Sequence, residues 1–170
     1  STWIRWDAAD FVDQLPPQDI SYEPWVDQCQ MWREQLPWIE SPTHDHPPGF
    51  LSPYLVMEEI NRRLPVDAHI VTDMGTAMIC AHQTLHLRPP QRIMTSGGLG
   101  EMGVALPAAI GASIARGGPV LCLHCDGGMM MNLQELETIA HRQLPIKIIV
   151  FSNDGYLMIK RTQRVLRLKR

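Results

Sequence analysis

An aspartate and an asparagine stand at the ends of two successive apolar segments of the sequence. Asp126 closes the first segment and precedes Gly127 and Gly128, and Asn153 closes the next one. One charged and one neutral oxygen ligand at neighbouring strand ends would suit a hard divalent cation such as Mg²⁺. The two glycines would leave backbone N–H groups open to a diphosphate beside that cation. Spacing alone gives equal weight to a purely structural alternative, in which Asp126 caps a helix and Asn153 forms a turn.

The segments around these residues alternate between strand and helix patterns. The predicted strands cover residues 68–73, 92–98, 119–126 and 145–154, and the predicted helices cover residues 52–65, 76–87, 104–117 and 132–143. The first helix has Ser52 as its N-cap and Pro53 at its first position. Strands that are apolar throughout and alternate with helices predict an α/β fold, with a parallel sheet covered by helices on both faces. Ligands bind beyond the carboxyl ends of such strands, where Asp126 and Asn153 lie.

Residues 1–50 differ from the rest of the chain in composition. All five tryptophans lie there, with many prolines and acidic residues. We expect this segment to be the tail of a preceding domain and a linker, and residues 51–170 to form the ligand-binding domain. His44 and His46 form an H-x-H pair, but in a proline-rich loop a solvated pair is favoured over a metal site. The basic residues 160–170 predict a solvated helix rather than a binding tail.

Composition limits the class of protein. The net charge of −3 gives no reason to expect nucleic acid or an acidic membrane as a partner. The sequence shows neither a signal peptide nor a membrane span, and four sparse cysteines suit a reducing cytoplasm. Cys122 and Cys125 are three residues apart in a predicted strand, so their side chains point to opposite faces and cannot share a zinc ion or a disulfide.

The stretch GLGEMG, residues 98–103, supports a second hypothesis. It matches the G-x-G-x-x-G pattern of dinucleotide-binding oxidoreductases, follows a possible strand and opens a helix. Against this interpretation, Pro107 interrupts the first turn of that helix. The strand before the glycines is also short and polar, and it is not the first strand of the predicted sheet.

Two stretches resemble the enzymes that use thiamin diphosphate. DGGMMMNLQELETIAHRQLPIKIIVFSNDGY, residues 126–156, is similar to their signature of Gly-Asp-Gly, a spacer and Asn-Asn. SGGLGEMGVALPAAIGASIAR, residues 96–116, is similar to the segment that precedes this signature in the acetolactate-synthase-like branch. The resemblance runs from about Ser52 to Thr162. It implies a thiamin-diphosphate-binding fold, incomplete at its C-terminus, with thiamin diphosphate and Mg²⁺ as cofactors.

The resemblance also implies which residues bind the cofactors. Mg²⁺ would be held by the side chains of Asp126 and Asn153 and by the main-chain oxygen of Gly155. The diphosphate would be held by backbone groups of Gly75, Thr76, Ala77, Gly127 and Gly128. The pyrimidine ring would donate a hydrogen bond to the carbonyl of Gly100, and Met102 would support the bent shape of the cofactor.

The activating residue is expected outside this chain. In this family a glutamate on the pyrimidine-binding domain of a partner subunit activates the cofactor, so we expect a homo-oligomer, dimer or tetramer, and no catalytic residue here. Glu101, beside Met102, is not assigned that role. A third hypothesis is a non-catalytic accessory fragment that keeps the fold but does not turn over alone.

Two replacements and two unusual segments bear on the substrate. Cys125 replaces the first glycine of Gly-Asp-Gly, and Ser152 replaces the first asparagine of Asn-Asn. Residues 76–83 and 157–163 differ from the runs typical of true acetolactate synthases. The resemblance therefore implies a carboligase or decarboxylase acting on another small 2-oxo acid or aldehyde. Arg161 and Gln163 would face either that substrate or solvent.

Overall fold

The computed structural model describes residues 7–15, 21–37 and 48–167, and the chain divides into two compact units, Ser1–Pro37 and Trp38–Arg170. The first unit contains α1 (Ala8–Asp13) and α2 (Glu23–Gln35), and neither helix has a buried residue. On α2, the rings of Trp25 and Trp32 meet edge to face with their centroids 5.6 Å apart. His44 and His46 lie outside the described residues. The domain boundary at residues 50 and 51 stays a prediction.

The second unit alternates helices and strands. Its elements are α3 (Pro53–Arg63), β1 (His69–Thr72), α4 (Thr76–Thr84), β2 (Arg92–Thr95), α5 (Ala105–Arg116), β3 (Val120–Cys125), α6 (Asp126–Met129), α7 (Glu135–His141), β4 (Ile146–Phe151) and α8 (Leu157–Arg167). The strands form a four-stranded sheet in the order β2-β1-β3-β4, and every neighbouring pair is parallel. The predicted α/β fold with a parallel sheet is confirmed.

Helices cover both faces of this sheet. On one face, Ile70 and Leu123 of the central strands pack with Met57 of α3 and with α4. On the other face, Val71 and Cys122 pack with α5, and α7 lies on the same side. Side chains alternate between faces along a strand, which explains why consecutive residues of β1 belong to different cores. The central strands β1 and β3 are mostly buried, whereas the edge strands are partly exposed.

The cysteines follow the same alternation. Cys122 is fully buried in the core under α5, while Cys125 packs against the core under α4. All four cysteines are free thiols. The prediction that Cys122 and Cys125 lie on opposite faces is confirmed. Burial, reinforced by the nearby Asp73 carboxylate, raises the pKa of Cys122 to about 12, so this thiol stays protonated and serves as core packing.

Some predicted boundaries are wrong. The predicted helix 132–143 begins only at Glu135, because the Asn132 side chain turns away to donate to the carbonyl of Gly103 at 2.9 Å. Residues 126–129, expected to be a glycine turn, instead form the short helix α6. Helix α4 ends at Thr84, before the predicted residue 87, and Leu85 is extended. Ser52 does occupy the N-cap of α3, but its hydroxyl is buried, makes no capping hydrogen bond and has no partner among the residues that the structure describes.

The strand order defines where a ligand can enter. From β1 the chain crosses to β2 on one side, and it then returns to β3 on the other side of β1. The carboxyl ends of β1 and β3 therefore flank the point at which the direction of winding reverses, and open α/β sheets bind ligands in the crevice at this point. The segments that leave these two ends are the loop 73–75 and the short helix α6. The fold thus brings together two segments that are about fifty residues apart in sequence.

Candidate functional site

A pocket of about 210 Å³ opens at the carboxyl ends of β1 and β3. Nine of the ten predicted binding residues line it, namely Gly75, Thr76, Gly100, Met102, Asp126, Gly127, Gly128, Asn153 and Gly155. These residues come from four loops that leave β1, β2, β3 and β4. The tenth residue, Ala77, is fully buried behind the pocket wall.

Asp126 is held in place by the turn that follows β4. Its Oδ2 accepts hydrogen bonds from the backbone N–H of Asn153 at 3.0 Å and of Gly155 at 3.1 Å. Its Oδ1 accepts from the N–H of Gly127 at 2.8 Å. Burial alone would raise the pKa of Asp126, but these backbone bonds outweigh it and keep the pKa below its ordinary value. The carboxylate is therefore charged at neutral pH and retains lone pairs on Oδ1 for a cation.

The β4 turn offers two further oxygen atoms. Asn153 Oδ1 is buried and has no hydrogen-bond partner within the part of the chain that the structure describes. A buried carbonyl oxygen without a partner costs free energy, so such an atom is commonly satisfied by an ion or water. The main-chain oxygen of Gly155 accepts from Leu157 N at 3.0 Å and keeps a second lone pair. Gly155 has φ +122, a conformation that favours glycine.

Ser152 contacts Asp126 rather than the pocket. Its hydroxyl donates to Asp126 Oδ2 at 3.4 Å, and Ser152 does not line the pocket. A hydroxyl that supports a carboxylate can orient it without binding the cation itself. The serine at this position therefore contacts the Asp126 carboxylate from outside the pocket.

Two glycine-containing helix starts face each other across the pocket. Gly75, with φ +96, is the N-cap of α4, and Gly127 and Gly128 lie in the first turn of α6. Backbone N–H groups in the first turn of a helix lack intrahelical acceptors, so they can donate to an anion. Among these groups, the N–H of Gly127 already donates to Asp126 Oδ1. The ring of Tyr156 packs on Gly127 so closely that a Cβ there would lie 2.6 Å from a ring carbon. Glycine is therefore required at position 127 for Tyr156 to pack against the first turn of α6.

Cys125 reaches into the same region from the end of β3. Its Sγ accepts a hydrogen bond from the N–H of Ala77 at 3.4 Å. That N–H was expected to bind the diphosphate, and in this structure the thiol occupies it. Burial raises the pKa of Cys125 and prevails over the lowering effect of the amides of Ala77 and Thr76, so the sulfur remains a protonated thiol at neutral pH.

The loop after β2 forms the opposite end of the pocket. Gly100 has φ +68, and a Cβ there would lie 3.2 Å from the methyl carbon of Met74. Met102 is half-buried and lines the pocket together with Met74. Glu101 points away: it is exposed and accepts from the Ser96 hydroxyl at 2.5 Å, and this bond lowers its pKa. This end of the pocket is apolar, as a ring-binding surface requires.

The sequence did not indicate several residues of the pocket. An apolar wall is formed by Met74 and by the start of α8, with Tyr156, Leu157, Met158 and Ile159. The pattern SNDGY placed Tyr156 after the turn, but only the fold shows that its ring covers Gly127. Asp73 was noted only as the end of a strand, although a carboxylate after a buried apolar run was a signal of a special role. Arg161 and Gln163 lie on exposed positions of α8 and do not line the pocket.

A larger cavity of about 520 Å³ lies at the other end of the sheet. It is lined by the first residues of β1 and β3, His69 and Val120, and by side chains of α3. Parallel sheets bind ligands at the carboxyl ends of their strands, so this cavity is not the candidate site.

The strand order disfavours the dinucleotide hypothesis. A dinucleotide fold places its glycine-rich turn after the strand at the point where winding reverses. Here GLGEMG follows β2, the edge strand of the sheet. Gly103 of this motif donates its N–H to the buried Asp73 at 2.8 Å, so it is not free for a pyrophosphate.

No group of three or more His, Cys, Asp and Glu residues is arranged to hold a metal ion in the described ranges. A site with one carboxylate, one amide and one main-chain oxygen falls outside that pattern. Among the helices described, none has the length and apolar character needed to cross a membrane.

Comparisons with known proteins agree with the geometry. The family model "Thiamine pyrophosphate enzyme, C-terminal TPP binding domain" matches residues 73–170. The acetolactate synthase isozyme 2 large subunit of Escherichia coli (strain K12) is 35% identical over 149 residues, which make up 87% of this chain and 26% of that protein. The acetolactate synthase large subunit of Pyropia yezoensis is 34% identical over 167 residues, 93% of this chain and 27% of that protein. The chain therefore spans about a quarter of the length of the curated relatives it matches.

The family model covers more than half of the chain, including the loops after β1, β2, β3 and β4 that line the pocket. Thiamine pyrophosphate, that is thiamin diphosphate, is the cofactor of this family, and Mg²⁺ is its usual partner metal. The chain belongs to the thiamine pyrophosphate enzymes, in their acetolactate-synthase-like branch, and contains their C-terminal cofactor-binding domain.

Proposed function

We propose that this chain supplies the diphosphate- and metal-binding half of the active site of a carboligase or decarboxylase that acts on a 2-oxo acid. The observation that carries the proposal is the arrangement of Asp126 and Asn153 at neighbouring strand ends. The Asp126 carboxylate is charged and its two oxygens accept from three backbone amides, whereas Asn153 Oδ1 is buried without a hydrogen-bond partner among the described residues. This donor set fits Mg²⁺, which takes few protein ligands and completes its shell with water and phosphate oxygens.

Each of the other predicted residues then has a place in the site. The main-chain oxygen of Gly155 is the third metal ligand. The backbone around Gly75, Thr76, Gly127 and Gly128 receives the diphosphate. The carbonyl of Gly100 accepts from the pyrimidine amino group, and Met102 supports the ring. The backbone amide of Ala77 can bind the diphosphate only if it no longer donates to the sulfur of Cys125.

Thiamin diphosphate, when bound, supplies a nucleophilic carbon and an electron sink for making or breaking a bond next to a carbonyl carbon. The residues of this chain bind and orient that group. Met74, Tyr156 and Met158 exclude water from the pocket, which strengthens the electrostatic contacts inside it. Asp126 neutralises part of the metal charge without moving a proton.

The remaining half of the site is proposed to come from another domain. We infer that a pyrimidine-binding domain of a partner subunit carries the activating glutamate, so the protein is a homo-oligomer and this chain alone is inactive. Small 2-oxo acids or aldehydes are the proposed substrates, and the free thiols support a reducing cytoplasm. The differences in residues 76–83 and 157–163 support a substrate other than that of the acetolactate synthases.

Titration calorimetry tests the proposal. The full-length protein that contains this chain should bind thiamin diphosphate in the presence of Mg²⁺. Excess EDTA should abolish binding, because without the cation the charged Asp126 would repel the diphosphate. NADH serves as the control ligand and should produce no heat of binding. Metal-independent binding of NADH without binding of thiamin diphosphate would refute the proposal.

Replacement of Cys125 by glycine should strengthen cofactor binding. The change removes the thiol that accepts from Ala77 and frees that amide for a phosphate oxygen. A charge-assisted hydrogen bond then replaces a weak one to sulfur, and we expect about tenfold tighter binding of Mg²⁺–thiamin diphosphate. Calorimetry measures the change, with the exposed Cys29→Ala as the control that should leave the affinity as it is. Unchanged or weaker binding by Cys125→Gly would show that the amide of Ala77 does not bind the cofactor.

A further inference from the structure

Asp73 is a fully buried carboxylate that lies beneath the pocket without lining it. It follows β1, and its exposed fraction is 0%. Its Oδ1 accepts the backbone N–H of Gly103 at 2.8 Å. Its Oδ2 lies 3.3 Å from Nδ1 of the equally buried His124, without hydrogen-bond geometry. Burying a charged group costs several kcal/mol or more unless it is paired, so a residue of this kind needs a specific reason.

The carboxylate touches both glycine segments of the site. The segment after β2, residues 96–103, is called here the ring loop, because it carries Gly100 and Met102. Asp73 accepts a hydrogen bond from Gly103, the last residue of the ring loop. On its other side it packs on α6, where a Cβ on Gly128 would lie 1.7 Å from Oδ2. One buried side chain therefore contacts the ring loop and the diphosphate-binding helix together.

A second side chain holds the same residue from the opposite direction. Asn132 Nδ2 donates to the carbonyl of Gly103 at 2.9 Å. Gly103 has φ +89, and a Cβ there would lie 2.8 Å from Cβ of Met131 and 3.3 Å from the carbonyl oxygen of Gly128. The backbone of the ring loop thus rests directly on the backbone of α6. Both backbone groups of Gly103 are bound by side chains: Asp73 accepts from its N–H, and Asn132 donates to its C=O.

We propose that Asp73 and Asn132 are positioning residues that fix the ring loop against α6 and so set the distance between the ring-binding and diphosphate-binding ends of the pocket. This inference rests on the proposed function, because it assigns those two ends to two parts of one cofactor. A cofactor that is bound at both ends in one bent shape needs those ends at a fixed separation, whereas a ligand that contacts only one end does not. Neither residue touches the cofactor, and both act through Gly103.

The experiment compares two ligands by calorimetry in the presence of Mg²⁺. Inorganic pyrophosphate reports on the diphosphate end alone, and thiamin diphosphate reports on both ends. The measured quantity is the affinity for thiamin diphosphate divided by the affinity for pyrophosphate, both in the full-length protein. For Asn132→Ala we expect pyrophosphate to bind within about twofold of the wild type and thiamin diphosphate to bind about tenfold more weakly, as for other groups that orient a binding residue. The ratio therefore falls about tenfold.

Variants at Asp73 test the same contact from the other side. Asp73→Ala should lower the ratio as Asn132→Ala does. Asp73→Asn keeps an oxygen that can accept from Gly103, so it should restore the ratio to within about threefold of the wild type. If Asp73→Ala does not fold, Asn132→Ala decides the question, since Asn132 is only partly buried. Gln134→Ala is the matched control, because this exposed amide bonds to Asn132 but not to Gly103.

The outcomes separate this inference from the proposed function. An unchanged ratio in Asn132→Ala, or an equal loss of both affinities, would overturn the positioning role and leave the cofactor site intact. A wild-type protein that binds neither ligand with Mg²⁺, or that binds thiamin diphosphate no better than pyrophosphate, would overturn the proposed function and this inference with it.

Discussion

Replacement of Asp126 by asparagine is expected to weaken binding of Mg²⁺–thiamin diphosphate by more than about a hundredfold. Replacement of a residue that merely orients a metal ligand already lowers metal affinity about ten- to a hundredfold. Asparagine keeps an oxygen that can accept the backbone amides of Asn153 and Gly155, so the turn after β4 should retain its shape. What is lost is the negative charge and also the second oxygen, Oδ1, which accepts from the N–H of Gly127 and has lone pairs for the proposed cation. Calorimetry at fixed Mg²⁺ measures the affinity, and thermal unfolding checks that the fold is preserved.

Two further variants sharpen this test. Asp126→Ala removes both oxygens as well as the charge, so it should also lower the thermal stability by depriving the backbone N–H groups of Gly127, Asn153 and Gly155 of their acceptor. Asp154→Asn is the matched control: it removes an exposed carboxylate from the same turn, outside the pocket, and asparagine tolerates the φ of +59 found there. The control should bind the cofactor normally. Normal binding by Asp126→Asn as well would show that Asp126 is not a metal ligand.

The sequence predicted the parts of the fold that depend on regular patterns. Continuous apolar runs indicated buried parallel strands, and the central strands β1 and β3 are mostly buried. The carboxyl ends of parallel strands meet at one edge of the sheet, so Asp126 and Asn153 could be placed together from the sequence alone. The structure brings Asp126 Oδ2 to 3.0 Å from Asn153 N. The pairing was predictable because topology alone enforces it.

Contacts between distant loops were not predictable in this way. Helix α7 starts late because Asn132 bonds to Gly103, a residue 29 positions earlier that belongs to another loop. The amide of Ala77 is occupied by Cys125, 48 positions later. Neither contact leaves a periodic signal, since each depends on one side chain meeting one backbone group. Asp73 is missing from the predicted site for the same reason, although its position after a buried strand was visible.

The glycines of α5 and the ring loop give opposite predictions for the same substitution. Gly103→Ala should lower the free energy of unfolding by about 2–4 kcal/mol, because a side chain is strained at φ +89 and its Cβ would meet Met131 at 2.8 Å. Gly111→Ala should raise that free energy by about 0.5–1 kcal/mol, because Gly111 lies inside α5 with open space around it. Both variants add one methyl group within the same short segment of chain.

Urea unfolding followed by far-UV circular dichroism measures both changes. Tryptophan fluorescence is less suitable, because all five tryptophans lie in residues 1–50 and none belongs to a strand of the sheet. Gly103→Ala should also weaken binding of Mg²⁺–thiamin diphosphate, because the ring loop and α6 must separate to admit the methyl group. Equal stabilities for the two variants would mean that Gly103 does not pack on α6. The buried carboxylate of Asp73 would then lack the contact that explains its position.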